Sequence, residues 1–229
     1  MKNLFEIVLP ACILMAMPAL STTSFAIDLD GQIGFEIQND GGYDSDDPDN
    51  EQDQLSLKIE PEVTFGLAAG LSIYAHGVLQ PVREAQPGES RYFGDNGFAI
   101  EDLFLAYETG RYAIQGGKFT PAFGIGWDVT PGIYGSGFAE DGYEFAERIG
   151  LAGSVGFGDS EIGSHKITAH GFFLDTSILS ETLGRGRGTT DKEDGGPSNT
   201  EDLSSYAVTL DGEDVAGIKG LGYRVSYIR

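Results

Sequence analysis

The side chains in this chain that could do chemistry are charges rather than nucleophiles. Five bases fall at the polar positions of alternating segments: Lys58, Arg111, Arg148, Lys166 and Arg224. Asp128, Glu140, Asp141 and Glu144 lie on a Gly- and Pro-rich stretch that Glu147 closes. Bases on a wall and acids on a loop facing it would make a transverse field, which orients dipolar solutes and penalises apolar ones. Each wall base also has a plainer use, pairing with a neighbouring acid such as Glu36, Glu60, Glu62 or Glu108. No Gly-x-Ser-x-Gly elbow, phosphate-binding P-loop or His-Glu-x-x-His helix occurs, so no enzyme is expected. Of the three histidines, His165 lies near a turn, while His76 and His170 have no third ligand at a useful spacing and read as wall residues, so neither metal nor cofactor is expected. Asp40, Asp44, Asp46, Asp47, Asp49, Glu51 and Asp53 miss the register of a calcium loop and read as a solvated loop.

Period two dominates the segments that must position these charges. In residues 148–157, Ile149, Leu151, Val155 and Phe157 share one face, with Arg148, Gly150, Ala152 and Ser154 on the other. Residues 219–228 repeat the pattern, setting Leu221, Tyr223, Val225 and Tyr227 against Gly220, Gly222, Arg224 and Ser226. Seven further segments alternate in the same way, around residues 33–37, 55–65, 71–80, 103–108, 112–115, 166–173 and 206–210. Nine strands are therefore expected. Tight turns at 68–70 and 109–110 and an intermediate one at 158–164 differ from long connections at 39–54, 82–97, 121–147 and 175–202. The long connections follow the first, third, fifth and seventh strands, as up-and-down topology requires.

Composition agrees with an all-β chain. With 34 Gly in 229 residues, helix-dominated architecture is disfavoured, because interior Gly weakens helices. A formal charge of −22 excludes a nucleic-acid binder held by phosphate contacts. The 40% hydrophobic and 11% aromatic content is too apolar for a disordered acidic chain. Residues 1–26 read as a cleaved secretory signal: Lys2 precedes an apolar run, and Ser24-Phe25-Ala26 ends it with small residues where a signal peptidase reads. The only Cys, Cys12, lies inside that segment, so no disulfide staples the rest.

An exported, disulfide-free chain with ten-residue alternating segments matches the length a tilted membrane strand needs. Tyr74, Tyr107, Tyr112, Phe119, Phe157 and Tyr227 recur near segment ends, where an aromatic girdle would meet the lipid–water boundary. The expected fold is an antiparallel up-and-down transmembrane β-barrel. A periplasmic β-sandwich binding protein, with its apolar faces packed on each other, is the alternative fold. Nine is an awkward count for a closed barrel, which in bacteria takes an even number. Residues 27–229 are therefore expected to be the N-terminal part of a barrel of about 16 strands.

Residues 116–135 include Gly-Lys-Phe followed by Pro-Ala-Phe-Gly-Ile-Gly-Trp. This stretch resembles a strand end and loop of Gram-negative outer-membrane porins, including the phosphate-selective group. The resemblance implies a water-filled channel for small hydrophilic solutes, with residues 121–147 folded into the lumen as a constriction loop. It also implies a homotrimer. The outer-membrane location, in contact with lipid, is expected from the strand lengths and aromatic girdle, and contact with lipopolysaccharide, bridged by divalent ions, from the acidic stretch of residues 40–53. Phosphate selectivity fits less well, because no base lies between Phe119 and Arg148. Five carboxylates without a base favour neutral solutes or cations. A small barrel acting as receptor, adhesin or enzyme is the functional alternative.

Overall fold

The computed structural model describes residues 28–83, 85–125, 145–191 and 202–229. These form one sheet. Its long strands are β1 (Asp28–Gly41), β2 (Asp53–Ala68) and β3 (Leu71–Pro81), then, past the short β4 (Arg91–Tyr92), β5 (Asn96–Thr109) and β6 (Tyr112–Phe119). They continue as β7 (Arg148–Asp159), β8 (Gly163–Leu174), β10 (Ser205–Glu213) and β11 (Tyr223–Ile228), with the short β9 (Leu183–Gly184) between β8 and β10. Each long strand pairs antiparallel with the next, in the order β1-β2-β3-β5-β6-β7-β8-β10-β11. The nine expected strands are these nine. Sequence reading missed β4, which runs parallel to β2, and β9, which pairs with β5. A two-residue strand has no period to detect. Among the described residues the sheet is open, with β1 and β11 as its edges.

Turns enforce the meander. Gly70 takes φ +78° between β2 and β3, and a Cβ there would stand 2.2 Å from the Glu108 carbonyl oxygen. Only glycine fits that approach. The two tight turns, the intermediate one and the β10–β11 connection share one rim, and the long connections share the other.

Alternation turns the two faces of the sheet into different surfaces. On one face, Leu71, Tyr107, Ile114, Gly153, Ala169, Val208 and Tyr227 pair in register across seven strands. This face stays open: Ile114 and Leu151 are 62% and 60% exposed, and Phe35, Leu105 and Val225 are also exposed. No second sheet covers it among the described residues, so the two-layer packing of a sandwich is not what these strands form. The buried core lies on the opposite face. Phe119, Pro121, Phe172 and Thr209 are fully buried there, and Ala152 and Ala207 are buried beside them. Burial on a single-layer sheet requires a cover, and the segment after β6 supplies one.

Candidate functional site

Residues 120–125 leave β6 and reach over β7 and β8. The Thr209 hydroxyl on β10 donates to the Ala122 carbonyl, and Arg224 on β11 donates to the Gly124 carbonyl at 2.7 Å. Asp102 on β5 fastens the start of the segment by accepting the Thr120 N–H at 3.1 Å. Phe123 packs against Phe145 with ring centres 5.3 Å apart, closing the base of the connection. The described start of the expected constriction loop thus lies across the polar face of the sheet. Asp128, Glu140, Asp141 and Glu144 lie outside the described residues.

The wall bases separate into distinct environments. Lys58 pairs with Glu60 at 2.8 Å and stands opposite Glu36 across the strands. Arg148 donates to the Ala146 carbonyl at 2.5 Å and lies 6.0 Å from the centre of the Phe145 ring. Arg224 binds Asp211 at 2.6 Å as well as Gly124. Lys58 and Arg224 therefore follow the plainer reading, in which a wall base pairs with a wall acid. Arg111, Lys166 and Arg224 line one cavity of about 700 Å³, whereas Lys58 and Arg148 are not part of it. Arg111 sits in the β5–β6 turn rather than on a strand wall.

A bulge produces a second cluster. The β3–β5 register shifts between His76 and Gly77, so Glu101 and Asp102 both face His76. The His76 Nδ1 lies 3.6 Å from Glu101 and 3.4 Å from Asp102. Glu62 pairs with His76 from the β2 side. No group of three or more His, Cys, Asp or Glu among the described residues could hold a metal ion.

Lys118 has no clear place in the alternation of its segment, and snorkelling at the rim with its amine in solvent is the expectation for such a residue. The structure corrects this: its side chain is 1% exposed, and its ammonium lies 2.9 Å from Asp175 and 3.7 Å from Glu147. It also donates to the Leu179 carbonyl at 2.6 Å. Arg187 completes the network with two bonds to Glu147, at 2.7 and 2.5 Å. These partners come from connections 29 to 69 residues away in sequence, a relation that alternation does not encode. Nearby, the N–H groups of Thr182, Gly188 and Arg187 hold the Glu181 carboxyl below its ordinary range. Comparisons with protein-family models, curated proteins and solved structures found no match to this chain.

Proposed function

We propose that this sheet is part of the wall of an outer-membrane β-barrel whose charged face lines a water-filled channel for small hydrophilic solutes. One observation carries the reading: a single sheet bears an open apolar face and, opposite it, a charged face over which residues 120–125 lie. An apolar face of that extent is stable in hydrocarbon and costly in water. Charged groups opposite it suit an aqueous bore, where a segment folded against the wall narrows the path. Export through residues 1–26, contact with lipopolysaccharide and assembly as a homotrimer belong to the same proposal, as does a weak cation preference from the loop acids.

Planar-bilayer recording on the full chain, purified in detergent, tests the reading. Stepwise ohmic conductance is the expected result. Membranes that stay silent across a wide range of protein concentration would overturn it. A salt-gradient reversal potential in the same experiment gives the sign of the selectivity.

A further inference from the structure

Arg111, Gly156, Lys166, Asp211 and Arg224 form one continuous row across the polar face. The Gly156 N–H donates to the Arg111 carbonyl at 2.7 Å, and Gly156–Lys166, Lys166–Asp211 and Asp211–Arg224 are cross-strand neighbours. The last two residues are occupied with each other at 2.6 Å. Arg111 and Lys166 have no ion pair or side-chain hydrogen bond among the described residues. They flank Gly156, which has no side chain, so the row is open between them. Two strand spacings place their backbones about 10 Å apart, a gap that two long basic side chains can close around a single anionic group.

The cavity continues from Lys166 along β8 past Thr168 to His170, four residues or about 13 Å away. Its floor there carries the Ser154 and Thr168 hydroxyls and the Gln115 amide, none of them bonded elsewhere among the described residues. At the far end His170 is 6% exposed, and its Nδ1 has no hydrogen-bond partner among the described residues. A buried polar atom without a partner is costly and marks a place where a ligand or water completes the bonding.

We propose that this cavity binds a small hydroxylated carboxylate, with its carboxyl over Gly156 between Arg111 and Lys166 and its hydroxyls along Thr168 toward His170. A guanidinium fork and an ammonium suit a carboxylate. Among the described residues Glu108, Asp159 and Asp211 balance Arg111, Lys166 and Arg224, so this lining has no net formal charge and suits a monoanion better than a phosphate dianion. The seat rests on the channel reading only in being placed within a bore. It is compatible with a weak overall cation preference, because it acts locally rather than along the whole path.

Saturation-transfer NMR with gluconate on the full chain in micelles tests the seat. Wild type should give a clear gluconate signal and none with neutral sorbitol. Arg111→Gln and Lys166→Gln should each reduce the signal at least fivefold, whereas Lys219→Gln, at an exposed loop position, should leave it intact. Gly156→Val keeps every charge and should also abolish the signal, because a Cβ there meets only ordinary contacts, at 3.7 and 3.8 Å, and the larger side chain fills the gap. An unchanged signal in the well-folded charge variants would overturn the proposal, as would an equal signal from sorbitol or displacement of gluconate by lower concentrations of inorganic phosphate. Gluconate binding without conductance would remove the channel reading and keep the seat. Conductance without a gluconate signal would do the reverse.

Discussion

At the scale of single residues, Lys118 and Asp175 are the most deeply buried ion pair among the described residues. Both charges are removed from water, with side-chain exposures of 1% and 0%, and each is compensated by the other. Removing one partner leaves an uncompensated buried charge, which costs about 3–5 kcal/mol. Lys118→Met should therefore destabilise the folded protein by about that amount in urea titrations. Adding Asp175→Asn should recover a substantial part, because the orphaned charge is then gone. Glu181 offers a pH test at the same scale. Its folded pKa is depressed, so its contribution is complete above the ordinary Glu value of about 4.3 and is lost as pH falls through the lower folded value. Hydrogen exchange at the Thr182, Arg187 and Gly188 amides should speed up across that acidic window, and Glu181→Gln should remove the pH step.

At the scale of elements, residues 120–125 are held to the wall by few bonds. Thr209 is fully buried and its hydroxyl donates to the Ala122 carbonyl. Thr209→Val conserves shape and removes that donor, so a loss of about 1 kcal/mol is expected. A segment freed from the wall also fluctuates more, and in the proposed channel single-channel current noise should rise in this variant relative to wild type. The nine strands themselves were legible because alternation is a local property, repeated in each of them. Their pairing was legible as well, since tight turns force neighbours to pair. The bulge that aims Glu101 and Asp102 together at His76 was not legible, because one extra residue in a ladder becomes visible only once the partner strand is in register. Asp211 could have been found from its shared parity with Thr209. Its bond to Arg224 needed the β10–β11 register.

At the scale of the whole molecule, the open apolar face separates a membrane wall from a water-soluble sheet. Leu151 lies on that face and is 60% exposed. An exposed Leu→Arg change in water is nearly neutral. The same change facing mid-bilayer hydrocarbon costs about 2–4 kcal/mol. On the proposed membrane reading, Leu151→Arg should lower folding stability in lipid vesicles by that amount, measured by denaturant titration. A value near zero would place the face in water.

The sequence alone determined the nine long strands, the order of short and long connections and which side chains share a face, because each of these follows from spacing along a few neighbouring residues. Tertiary structure decided which charges meet. Lys118 joins Asp175 and Glu147, Arg224 joins Asp211 and Gly124, and Arg111 faces Lys166 across the bare backbone of Gly156. These meetings depend on register and on a connection folding over the wall. They arise from contacts between distant segments, which no local period records.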